Sequence, residues 1–142
     1  MDRFVVGIDG SDASAAALRA AVDLARRVGA EIHAVWAWHV YYGSTELVVA
    51  PLVQRDSLEA NSTESLHEIV EGCDTTDVIV HEHVIEGEPA SVLLDAAKDA
   101  DMLVVGSRGH GTFVGMLLGS VSHKCVAHAP CPVLVVPHHD VA

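Results

Sequence analysis

Five short apolar runs recur along this chain, and a helical pattern separates each from the next. Arg3–Asp9 reads as a buried first strand ending in Asp9-Gly10-Ser11, with Ser11 as N-cap of a helix over Asp12–Val28. Leu18, Ala21, Leu24, Ala25 and Val28 fall on one face of it, and Gly29 supplies a left-handed C-terminal residue. Glu31–Trp38 is a second strand. A long connection over His39–Pro51, with Tyr41, Tyr42 and Gly43, leads to a polar helix over Val53–Glu71 that stops at Gly72. Val78–Ile85 is a third strand. Gly87-Glu-Pro89 opens the next helix, where a proline in the first turn costs no hydrogen bond, and Val92, Leu93, Ala96 and Ala97 face the core. Asp101–Gly106 is the fourth strand, Ser120–Ala129 a helix stopped by Pro130, and Cys131–Val136 a last short strand.

Such alternation predicts one α/β domain over residues 1–142: a single open, mostly parallel five-stranded sheet, Rossmann-like, with helices on both faces and right-handed crossovers. Composition agrees. Half the residues are hydrophobic but only 4% are aromatic, so the core is built from Val, Leu, Ile and Ala, as buried parallel strands require. In open sheets of this class, ligands bind beyond the C-terminal strand ends where strand order reverses. The first and fourth strands end in the two most unusual loops, Asp9-Gly10-Ser11 and the segment after Val105.

The formal net charge of −12, with only the two lysines Lys98 and Lys124, opposes binding to nucleic acid or to anionic membrane surfaces. It does not oppose a nucleotide, because backbone amides and helix N-termini hold phosphates without side-chain charge. Three cysteines without a CxxC pair, no leader-like segment and no run long enough to span a bilayer point to the cytoplasm.

The segment Gly106-Ser-Arg-Gly109-His-Gly111 continues to Gly119-Ser120-Val-Ser122. Glycines at 106 and 109 let the backbone leave the strand tightly and turn its N–H groups inward. Gly119-Ser120 starts a helix whose first amides and dipole receive an anion, and Ser120 and Ser122 add hydroxyl donors. A glycine after a strand ordinarily makes only a turn, and a serine before a helix only a cap; it is the combination, between a buried strand and a helix, that points to a place for a polyphosphate. No GxxxxGK[ST] occurs, and Gly109-His-Gly111 departs from GxGxxG and follows the wrong strand.

The spacing G-x2-G-x9-G-[S/T], realised as Gly106, Gly109, Gly119 and Ser120, resembles the ATP-binding signature of the universal stress protein family. The opening Val6-Gly7-Ile8-Asp9-Gly10-Ser11 and the ending Ala129–Val136 are similar to that family as well. The resemblance implies an ATP-binding, nucleotide-dependent regulatory module of the stress response. Gly7, Ile8 and Asp9 would then border the adenosine, the backbone near Ala37 would meet the adenine edge, and Gly106 would lie by the ribose. Arg108, Gly109, Gly119, Ser120, Val121 and Ser122 would hold the phosphates with Mg or Mn. Trp36 and Trp38 stand where the family commonly has smaller residues and a His, so a ring either narrows the adenine pocket or stacks on the base. The resemblance also implies a homodimer through the last strand, Val133–Val136, whose apolar edge needs cover.

Other chemistries find less support. His81 and His83 share one strand face and His138-His139 sit near the end of the sequence, but no Cys or carboxylate falls at a spacing typical of zinc, so the histidines read as surface and loop residues. Cys125 and Cys131 read as small buried thiols. No GxSxG elbow occurs, and Ser122 and His123, as helix neighbours, do not face each other. Asp9 could orient a metal or water, which leaves slow ATP hydrolysis as the enzymatic alternative; a dimeric partner protein without nucleotide is the other.

Overall fold

The computed structural model describes residues 2–39, 51–108 and 119–137, the side chains of 51–55 excepted. Five strands, β1 (Arg3–Gly7), β2 (Glu31–Trp38), β3 (Val80–Glu86), β4 (Met102–Gly106) and β5 (Val133–Val136), form one sheet in the order β3-β2-β1-β4-β5. Every neighbouring pair is parallel. Four α-helices connect them: α1 (Asp12–Val28), α2 (Pro51–Glu71), α3 (Pro89–Ala96) and α4 (Ser120–His128). The order reverses at β1, which pairs with β2 on one side and β4 on the other. The predicted open sheet, its strand count and its helices are all present.

Strand parity divides the core. Phe4, Val6 and Ile8 join Ile32, Ala34 and Val104 beneath α1 and α2, with Leu18, Ala21, Leu66 and Val70. Val5, Val35, Leu103 and Val105 form the other face with Val92, Leu93, Ala97 and Cys125 from α3 and its surroundings and α4. Trp36 packs on the α1–α2 face. Burial on both sheet faces is what selects the continuous Val-rich runs.

Local chemistry sets the helix ends. Ser11 accepts the Ser14 amide and so caps α1, while Gly29 closes it at φ 77° and donates its N–H to the Ala25 carbonyl. The buried face of α1 is rotated from the sequence expectation: Ala13, Ser14, Ala17 and Val22 are buried, whereas Val28 is 51% exposed. Small residues face the sheet because α1 lies close against β4. A Cβ on Gly106 would come within 2.8 Å of the Ala13 backbone. In α3 the N-cap is Glu88, whose carboxylate accepts the Ala90 and Ser91 amides.

Candidate functional site

At the reversal between β1 and β4 the strands end side by side and leave a cavity of about 260 Å³. This is where an open parallel sheet opens a crevice. Its walls are apolar: Ile8 and Val35 from the sheet, Val105 at the end of β4, and Leu93 with Pro89 from α3. Ala37 lies at one rim, two residues beyond the last β1–β2 pair, Gly7 with Val35. In β2, the Val35 carbonyl faces β1, accepting the Ile8 amide, and the Trp38 carbonyl faces β3, accepting the Gly87 amide. Alternation therefore turns the Ala37 peptide edge toward the β1 side, past the end of β1.

The opposite rim is polar. Gly119, Ser120, Val121 and Ser122, the start of α4, line it together with Arg108. The first amides of a helix have no partner within it and carry the positive end of its dipole. Asp9 lines the cavity where β1 gives way to α1. Its Oδ1 accepts from the Ser11 amide and hydroxyl, and its own amide donates to the Ser14 hydroxyl. Ser14, itself buried, lines the cavity too.

Of the residues singled out from sequence, Gly7, Ile8, Asp9, Ala37, Gly106, Arg108, Gly119, Ser120, Val121 and Ser122 all line this one cavity. Gly109 lies outside the described residues. Two local reasons differ from expectation. Gly106 is glycine because the α1 backbone approaches it, not because the strand must turn there. The Ser122 hydroxyl is not an available donor, because it donates to the buried Gly106 carbonyl and ties α4 to β4. The Gly119 amide likewise donates to the Ser107 carbonyl, at 2.7 Å. Trp36 and Trp38 have the opposite strand parity to Ala37, and neither lines the cavity.

Ser14, Val35, Pro89, Leu93 and Val105 line the cavity without having been singled out. The four apolar ones carried only a core signal. Ser14 could have been found from the Ser11-x-x-Ser14 spacing, which places its hydroxyl back over the Asp9 amide. On the buried face of α4, burial pushes the Cys125 thiol up to about 11, so it is a protonated core group at neutral pH.

The family model of the universal stress protein family matches residues 1–137. A universal stress protein of Methanocaldococcus jannaschii is 32% identical over 143 residues, covering 94% of this chain and 81% of its own. One of Mycolicibacterium smegmatis is 40% identical over 134 residues, covering 93% of this chain. This chain spans less than half the length of that mycobacterial relative, 44%. Among solved structures, the universal stress protein UspA of Lactobacillus plantarum superposes with a TM-score of 0.77 at 25% identity, covering 95% of this chain and 97% of its own. A universal stress protein solved in complex with cAMP gives 0.66 at 26% identity, covering 97% and 98%.

Proposed function

Since the chain belongs to the universal stress protein family, we propose that it is a nucleotide-dependent regulatory module that binds an adenine nucleotide, ATP in the first instance, in the β1–β4 crevice. The observation that carries this reading is the pairing of an apolar slot with a helix N-terminus in one cavity. A base fits between Val35, Leu93 and Val105, with its polar edge toward the Ala37 peptide. The phosphates then lie along the first amides of α4 and toward Arg108, the one cationic side chain among the described lining residues. The Gly106, Gly109, Gly119, Ser120 spacing favours a polyphosphate over a nucleoside, and the cAMP complex of a relative supports the adenine class.

The donor set also suits a divalent ion carried with the nucleotide. Mg2+ is held through one or two carboxylates together with substrate phosphates, and Asp9 is the carboxylate of this cavity. Such an ion would neutralise phosphate charge. Among the described lining residues there is no histidine and no second carboxylate, so among them the one candidate for a general base is Asp9, whose Oδ1 already serves the α1 cap. That favours binding over turnover, and hydrolysis far below the common enzyme rate of ~10 per second follows.

Calorimetry with ATP, ADP, AMP and cAMP tests the proposal. The expected result is ATP binding in the micromolar range, about −8 kcal/mol, lost in Gly109→Val and weakened more for ATP than for AMP in Arg108→Ala. Absence of saturable binding by any of the four, or equal ATP affinity of wild type and Gly109→Val, overturns it.

A further inference from the structure

At the other end of the sheet from the crevice, three imidazoles and a carboxylate meet across β2 and β3. Register places His33 opposite His81, and Val35 opposite His83. Odd-numbered residues of both strands share one face, so Glu31, His33, His81 and His83 gather there. The His33 ring stacks on His81 at 4.5 Å and on His83 at 5.1 Å between centroids. His81 Nε2 lies 3.0 Å from Glu31 Oε1. His33 Nδ1 lies 2.8 Å from His83 Nε2. The remaining nitrogen, His33 Nε2, is buried and has no hydrogen-bond partner. A buried polar atom left unpaired is costly and calls for an explanation.

We propose that Glu31, His33 and His81 form a binding site for a divalent first-row transition-metal ion of the Zn2+ type, with His83 orienting His33 from behind. One donor atom from each of the three lies within 4.8 Å of the other two. Imidazole nitrogen with a single carboxylate oxygen is a zinc-type donor set rather than a calcium or magnesium one. When His33 donates from Nδ1 to His83 Nε2, its Nε2 keeps a lone pair, which accounts for the orphaned atom. This is the outer-partner arrangement that fixes the tautomer of metal-bound histidines.

Tetrahedral coordination with bonds near 2.0–2.1 Å needs donors roughly 3.3 Å apart. The His81–Glu31 pair already satisfies that. The three donors lie within 4.8 Å of one another, so reaching the 3.3 Å spacing takes a closure of at most about 1.5 Å. His81 is 44% exposed at its side chain and provides the way in, and three protein donors leave a fourth position for water. Arg3, opposite Glu31 on β1, is a cation acting on the site, and Glu31 balances it.

The sequence concealed this site because its ligands are 50 residues apart and meet only through β2–β3 pairing. It is independent of the crevice, and Zn2+ titration of the full chain without nucleotide tests it. At pH 7.5 one ion is expected to bind with a Kd below about 10 μM and to raise the melting temperature. His81→Gln and Glu31→Gln, both at the accessible rim, each weaken binding at least tenfold and remove the thermal shift; His83→Gln weakens it 10–100-fold, as expected for an orienting partner. His67→Gln, at the exposed His67–Glu71 pair on α2, leaves it unchanged. No saturable binding below about 100 μM, or wild-type affinity in both His81→Gln and Glu31→Gln, overturns the proposal.

Discussion

Gly106→Ala tests what holds the crevice open. The added methyl would meet the Ala13 carbonyl carbon and oxygen at 2.8 Å and the Ala13 Cβ at 3.0 Å. These are mostly backbone atoms of a helix whose face of Ala13, Ala17 and Ala21 is already flush with the sheet, so no rotamer change relieves the clash. Either α1 moves outward or β4 does. Overpacking of this kind costs about 1–3 kcal/mol, and in a chain of this size each kcal/mol lowers the melting temperature by roughly 3–4 °C. An outward shift of α1 also moves Ser14, and with it the Asp9 amide contact at the cavity wall. Thermal unfolding followed by circular dichroism should show a fall of about 3–12 °C, and calorimetry a weaker ATP affinity. Gly29→Ala is the control: it sits at φ 77° with no atom near its would-be Cβ, so it costs about 1 kcal/mol from backbone strain and leaves ATP affinity intact. If Gly106→Ala melts with wild type, the close approach of α1 is not what demands glycine there.

Cys125 should resist iodoacetamide at pH 8 in the native chain and react once unfolded, as read by mass spectrometry; native labelling would contradict its burial and raised pKa. His33 and His83 have depressed folded pKa values, so the stability they contribute is present above about pH 6.5 and is lost as pH falls below it. His67, raised by its Glu82 hydrogen bond, works in the opposite sense. His83→Gln should therefore flatten the loss of stability between pH 7 and pH 5, by at most about 1.4 kcal/mol per pH unit; an unchanged slope in urea melts would refute this. On assembly, β5 is an edge strand whose Pro132 and Val136 carbonyls face β4, so the Val133 and Val135 peptide groups face outward. If the chain forms a two-fold dimer through this edge, Val135→Pro removes an outward N–H without breaking a β4 bond and should give monomers by light scattering. A wild-type monomer, or an undiminished dimer in the variant, would rule out that interface.

The architecture was legible because each element carried a local signal. Glu31–Trp38 and Asp12–Val28 have the same bounds in sequence and structure, set by Gly29 between them and Ser11 before them. The polar rim of the crevice was legible for a similar reason: Gly106, Arg108, Gly119 and Ser120 follow one another along the chain. Its apolar wall was not, because Leu93 and Val105 differ from other core residues only in where the sheet ends. The rotation of α1 was missed because alanines give little periodic contrast, and Val28 continued the stripe past the sheet. Strand parity answered the question about Trp36 and Trp38, since Ala37 alone of the three turns toward the crevice.

The central place of β1 has a consequence for synthesis. Phe4 pairs with Met102, and the Arg3 amide bonds the Asp101 carboxylate 98 residues away. Until β4 leaves the ribosome, the β3-β2-β1 half presents β1 as a raw edge bearing Phe4, Val5 and Val6, and such an edge recruits other chains. Closing so long a loop is slow, which prolongs the exposure. Chains truncated before Met102 should therefore aggregate, and a ligand spanning β1 and the start of α4 would bind only chains whose two ends have already met.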